Sequence, residues 1–156
     1  MAIIRNRVSA RSINDQDEIL PVHQVYCWLL TTANNIIIVS KDWLQRQLPW
    51  GKPEHDETYL ETLKREVYEE TGIDIENIIH SAQFFWYYTI DENWIMYLQL
   101  RYALRLWTSI DYDTLNPNEK DDIKFIKTIA LDDIWNYLPR LPMSGEYTSF
   151  TKMQEL

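Results

Sequence analysis

Glu66, Glu69 and Glu70 stand at i, i+3 and i+4 in the segment that runs from Thr58 to Gly72. If that segment is helical, the three carboxylates share one face. Like charges at this spacing destabilise a helix by about 0.2–0.5 kcal/mol per pair. A hard divalent cation removes the repulsion. Mg²⁺ in particular takes carboxylate oxygens, waters and substrate phosphates into one octahedral shell. The chemistry these residues suggest is the holding of divalent metal against a phosphorylated substrate.

The elements around them support a helix. Thr58 and Glu61 have the spacing of a capping box, with Thr58 as N-cap and Glu61 reaching back. Nothing breaks the helix as far as Thr71, and Gly72 stands where a left-handed C-terminal residue is wanted. Leu60, Leu63 and Val67 form a separate apolar stripe that should pack on a core. An acidic helix face alone is usually just solvated. The spacing of the whole segment is more specific. Gly51 is followed by five residues, Glu57, seven residues, and then Arg65, Glu66, an apolar residue, one free position, Glu69, Glu70, one free position, Gly72 and apolar Ile73.

From Gly51 to Ile73 the chain resembles the box of the Nudix hydrolases, with no fixed position missing. The resemblance implies an α/β (α+β) Nudix fold: an α/β/α sandwich with a central mixed β-sheet, against which the box forms a loop, a helix and a loop. It implies hydrolysis of a nucleoside diphosphate linked to another group, X. Glu66, Glu69 and Glu70 would hold Mg²⁺, with Mn²⁺ as a substitute. Glu66 would also orient or deprotonate the attacking water. Arg65 would pair with a box carboxylate, Glu57. Gly51 would let the backbone approach the metal and lend a carbonyl to it. Many relatives have a second glycine where this chain has Trp50, which can still offer a carbonyl or form part of the pocket wall. In many relatives an acidic residue before the strand leading to the last helix completes the metal shell or acts as base. Glu119, Asp121 and Asp122 are the candidates, and the sequence does not choose among them. Tyr87 and Tyr88 lie near the place where a tyrosine resembles the dinucleoside polyphosphate group, so X leads to either a (d)NTP or a dinucleoside polyphosphate. A catalytically silent nucleotide-binding or regulatory module of the same fold is the alternative, and the intact carboxylates argue against it. The isomerase branch of the fold uses a cysteine, and Cys27 lacks its supporting motifs.

Composition bounds the rest. At 156 residues with 46% hydrophobic content, the chain reads as a single domain over 1–156, with an N-terminal extension at 1–20 and an irregular tail at 139–156. Net charge is −9, and residues 51–76 carry nine Asp/Glu against three Lys/Arg. Most of the imbalance is therefore local to the proposed metal site. General nucleic-acid binding is excluded by the lack of a basic footprint, and a small phosphorylated nucleotide-type substrate fits better. The lone Cys27 excludes an intrachain disulfide and reads as a buried thiol. No apolar run approaches a membrane span and no secretory h-region is present. A cytoplasmic protein is expected, and homodimers are frequent in the family.

Hydrophobic periodicity places strands at 22–31, 36–39, 82–90, 94–107 and 123–129, with a turn at Asn34-Asn35. From Trp94 to Trp107 the pattern alternates. Trp94, Met96, Leu98, Leu100, Tyr102, Leu104 and Leu106 point one way, and Gln99, Arg101 and Arg105 the other. Arg101 and Arg105 could grip phosphate, or simply face solvent from an edge strand. Leu131, Ile134, Trp135 and Leu138 have helical spacing and start the last helix.

Overall fold

A computed structural model describes residues 3–5, 22–90, 93, 96–107 and 123–138; the side chains of 3–5, 80, 83–90 and 96–98 lie outside that description. Eight strands among these residues form one sheet. They are β1 (Ile3–Arg5), β2 (Val22–Leu30), β3 (Asn35–Ser40), β4 (Arg46–Gln47), β5 (Trp50–Gly51), β6 (Gln83–Ile90), β7 (Met96–Arg105) and β8 (Phe125–Ala130). The order is β1-β6-β7-β2-β3-β4, with β5 paired to β2 and β8 paired to β3. β2 and β7 run parallel and the other described pairs antiparallel, so the sheet is mixed, as expected.

Each face of the sheet is covered. Helix α1 (Tyr59–Thr71) places Leu63 and Val67 against Val25, Cys27, Leu29, Ile37, Leu100 and Leu104. On the other face Trp28, Leu30, Ile36, Ile38 and Ala103 pack under Ile134 and Leu138 of the short helix α2 (Ile134–Tyr137) and its flank. The architecture is therefore α+β, with helices on both sides of a mixed sheet. No described helix is long and apolar enough to cross a membrane.

Helix α1 ends as its sequence dictates. Thr58 Oγ1 accepts from the Glu61 amide, and Glu61 Oε2 accepts from the Thr58 amide at 2.7 Å. Gly72 closes the helix at φ 79°, its N–H donating to the Tyr68 carbonyl. One expectation is corrected. The alternation in β7 does not put one face in solvent: β7 lies between β6 and β2, and both Arg101 and Ala103 on its polar side are buried. Arg101 therefore does not occupy an edge strand. The last helix starts as a 3₁₀ turn over Leu131–Asp133, followed by one α-helical turn. Residues 41–50, where periodicity places no strand, contain β4 and the first residue of β5. A tight turn makes them possible: Ser40 Oγ accepts from the Trp43 amide at 2.7 Å, Asp42 Oδ1 accepts from the amides of Leu44 and Gln45, and Trp43 has φ 64°.

Candidate active site

Strand β5 is the point where the box helix meets the sheet. It is two residues long and pairs with β2 through Val25–Gly51 and Tyr26–Trp50. Glu66 lies directly against Gly51: a Cβ added at that glycine would occupy the space of the Glu66 carboxyl group. Close approach, rather than an unusual φ, is what requires glycine there. One turn further along α1, Glu70 Oε1 accepts from the Trp50 amide at 3.0 Å. Both carboxylates are thereby drawn inward, and both are buried.

Arg65 organises the outer half of the site. Its Nε and Nη2 donate to the two oxygens of Glu57 at 2.7 and 2.9 Å, a bidentate pair. Nη1 donates to Glu66 Oε1 at 2.5 Å and reaches Glu69 Oε2 at 3.4 Å. Nη2 also donates to the Lys52 carbonyl. The loop before α1 is thus clamped to the helix by one guanidinium. The Glu57 carboxylate accepts further from Thr62 Oγ1 and the Glu54 amide. The hydrogen bond from Arg65, with those from Thr62 and Glu54, outweighs desolvation and holds the Glu57 pKa down at about 2. The proton affinity of Arg65 is raised in turn, first by the hydrogen bond to Glu57.

The residues fit a hard divalent cation in donor type, because they offer carboxylate oxygens beside a backbone strand with no side chain at Gly51. They are not a preformed cage. Among the described residues no three acidic, His or Cys side chains stand close enough to hold an ion as placed. The reason is visible in the contacts: the Arg65 guanidinium links Glu66 to Glu69, and Glu70 Oε1 is turned to the Trp50 amide. As placed, Arg65 occupies Glu66 and Glu69 as well as Glu57.

On the sheet face away from α1, the expected binding residues separate. Trp50 stacks on Tyr26 with ring centroids 5.3 Å apart and an interplanar angle of 13°. Arg101 lies over Tyr26, its guanidinium carbon 4.0 Å from the ring centroid. At 2% exposure Arg101 does not present its charge to solvent, so it supports Tyr26 rather than gripping phosphate from an open surface. Arg105 is four residues along, about 13 Å down the strand. It pairs with Leu30, and its Nη1 donates to Asn34 Oδ1 at 2.6 Å in the β2–β3 turn. The structure does not bring Arg105 together with Arg101. Tyr88 stands in register opposite Leu98 and Arg5, and its side chain lies outside the described part. Glu119, Asp121 and Asp122 lie outside the described residues.

Three residues of this region were missed in the sequence. Tyr26, Gln24 and Gln99 line up beside Arg101 because β2 and β7 pair in parallel. Arg101 Nη2 donates to Gln99 Oε1, and Gln99 Nε2 donates to Gln24 Oε1 at 2.5 Å. Arginine only donates, so this chain fixes the polarity of both amides. Gln24 and Tyr26 alternate with the core residues Val25 and Cys27, which was the available signal.

Comparison with known proteins agrees with this fold. The profile of the NUDIX domain matches residues 5–149. The Bacillus subtilis pyrophosphohydrolase BsRppH, crystallised as a point mutant, superposes with a TM-score of 0.65 at 16% identity, covering 95% of this chain and 89% of that one. A MutT protein from Methanosarcina mazei Go1 gives 0.55 at 15% identity, over 89% and 97%. The Francisella tularensis bifunctional NMN adenylyltransferase/ADP ribose pyrophosphatase, complexed with AMP and Mn ion, gives 0.61 at 24% identity, over 90% of this chain and 43% of that chain. No curated protein matches the chain by sequence. With the family profile covering most of its length and the box intact from Gly51 to Ile73, the chain belongs to the NUDIX domain family.

Proposed function

We propose that the protein is a Mg²⁺-dependent pyrophosphohydrolase that cleaves a nucleoside diphosphate linked to X, with a (d)NTP or a dinucleoside polyphosphate as substrate. The observation that carries the reading is the joint seating of Glu66 and Glu70 on β5, beside the Trp50–Tyr26 stack. That arrangement sets carboxylates and an aromatic wall at one strand. Glu66, Glu69 and Glu70 would hold the metal, with a backbone carbonyl at Trp50 or Gly51. A bound divalent ion supplies charge neutralisation of the diphosphate and a lowered pKa for water. Mn²⁺ would substitute, in keeping with the Mn ion in the Francisella tularensis structure.

The chain's own residues do the remainder. Arg65 holds Glu57 and the loop, so that Gly51 stays against Glu66. Trp50 and Tyr26, backed by Arg101, form the wall for a planar base. Water forms a bond to phosphorus, the anhydride P–O bond breaks, and a nucleotide monophosphate leaves with X-phosphate, or pyrophosphate leaves a triphosphate. Glu66, Glu119, Asp121 and Asp122 are the carboxylates available to take the water's proton. A cytoplasmic setting and a homodimeric state belong to the same proposal, and the single buried free cysteine suits a reducing compartment.

The test is nucleotide and phosphate release across (d)NTPs, dinucleoside polyphosphates, ADP-ribose, nucleotide sugars and capped RNA, with Mg²⁺ or Mn²⁺. Metal-dependent turnover of one class, absent in Glu70→Gln, supports the reading and names X. Tight nucleotide binding with no turnover of any class would instead indicate a binding module.

A further inference from the structure

A second group of residues on the same sheet face is absorbed by neither the box nor the Trp50–Tyr26 wall. Arg46 of β4 and Phe125 of β8 both stand opposite Ser40 of β3, so three strands present them in one row. Lys127 follows two residues along, opposite Ile38. The Arg46 guanidinium carbon lies 5.7 Å from the Trp43 ring centroid and 5.1 Å from that of Tyr137. The Lys127 ammonium lies 5.4 and 5.5 Å from the same two rings. Trp43 also meets Phe125 edge-on at 6.0 Å.

Two cations thus lie over the same two rings, in a chain whose net charge is −9. Neither has a carboxylate partner among the described residues. Arg46 Nε is buried without a hydrogen-bond partner. Asp42, the nearest acid in sequence, uses Oδ1 on the amides of Leu44 and Gln45. The rings fix the two cations in place but do not neutralise them. An anion of more than one charge would neutralise both. A guanidinium fork beside an ammonium suits phosphate.

Position suggests whose phosphate. Arg46 precedes Trp50 by four residues, so the two lie no more than about 14 Å apart. Both belong to the face that carries the second core. We propose that Arg46 and Lys127, held by Trp43 and Tyr137, form a phosphate-binding site for a second nucleotide carried in X. The assignment of that nucleotide to the substrate rests on the hydrolase reading above. The phosphate site itself does not.

The experiment is calorimetric titration of the full chain with diadenosine tetraphosphate, ATP and inorganic tripolyphosphate in EDTA at low salt. Without metal the box carboxylates repel anions, and loss of binding in the neutral double variant is what assigns it to the new site. Diadenosine tetraphosphate is expected to bind wild type and to lose about tenfold or more in affinity in Arg46→Gln/Lys127→Gln. Arg46→Lys/Lys127→Arg, which keeps one guanidinium and one ammonium, should restore binding. Weaker binding of ATP than of diadenosine tetraphosphate supports the second nucleotide, and equal binding overturns that part. No binding by wild type, or equal affinity in the neutral double variant with its fold kept by circular dichroism, overturns the site. Charge-dependent binding in EDTA without turnover in Mg²⁺ would uphold the site and overturn the hydrolase reading.

Discussion

The backbone N–H of Trp50 donates to Glu70 Oε1 across 3.0 Å, from a two-residue strand to the last turn of the box helix. The neighbouring residue, Gly51, has the Glu66 carboxyl group packed onto it. Two of the three proposed metal carboxylates are therefore positioned by consecutive residues of β5. The third, Glu69, is held by Arg65 at 3.4 Å.

Glu70→Gln and Glu69→Gln should each lower kcat by about 100-fold or more, the scale of removing one charge-stabilising group from an active site. Both should stay folded. The side-chain amide oxygen introduced by Glu70→Gln can still accept from Trp50, and Glu69 has few contacts to lose. Steady-state kinetics in Mg²⁺ beside urea denaturation checks both halves. Unchanged turnover in either variant counts heavily against the metal assignment.

Gly51→Ala should destabilise by about 1–3 kcal/mol, as overpacking does, and should displace Glu66. The collision is with a side chain, so removing that side chain should relieve it. Gly51→Ala should therefore cost much less stability in a Glu66→Ala background than in wild type. A double-mutant cycle by urea denaturation measures that coupling. Additive effects would mean that Glu66 does not rest on Gly51.

Much of this was legible in the sequence, for identifiable reasons. The caps of α1 are local: Thr58, Glu61 and Gly72 act within a turn of themselves, so spacing suffices. The Arg65–Glu57 pair joins residues eight apart and followed from the family resemblance. Strands β4 and β5 could not be read, because two residues carry no periodicity. The site on β2 was also hidden. Tyr26 meets Arg101 only through the parallel β2–β7 pairing, which is a property of topology. The exposure of Arg101 was misjudged for a related reason: a period-two pattern separates the faces of a strand without saying that both are covered.

Glu57→Gln should cost about 1–2 kcal/mol at neutral pH, the range for a hydrogen bond to a charged group with part of its geometry retained. The pH dependence has a definite sign. The folded-state pKa of about 2 lies below the ordinary 4.5. Stability from the Glu57 carboxylate is thus fully present above about pH 4.5 and is lost as pH falls toward about 2. The stability gap between wild type and Glu57→Gln should stay level from pH 7 to about 4.5 and narrow below that. Urea titrations at several pH values read it directly. A gap that widened on acidification would contradict the Arg65–Glu57 clamp.

Arg101→Gln and Arg105→Gln separate two arginines that look equivalent in sequence. Arg101 underlies Tyr26 and sets the polarity of Gln99 and Gln24. Its loss should loosen the wall proposed for the base and raise KM about tenfold or more, with a smaller change in kcat, since the proposed metal site for the reacting phosphate lies at the box helix. Arg105 reaches Asn34 and the Thr31 carbonyl in the β2–β3 turn. Arg105→Gln should leave KM unchanged and cost up to about 1 kcal/mol of stability, as for a partly exposed hydrogen bond. Arg101→Lys discriminates charge from shape: an ammonium can still sit over the Tyr26 ring but cannot reproduce the planar contact with Gln99. If position over the ring is what counts, Arg101→Lys recovers most of the lost KM; if the amide relay counts, it recovers little. A KM for Arg101→Gln equal to wild type would remove Arg101 from substrate recognition altogether.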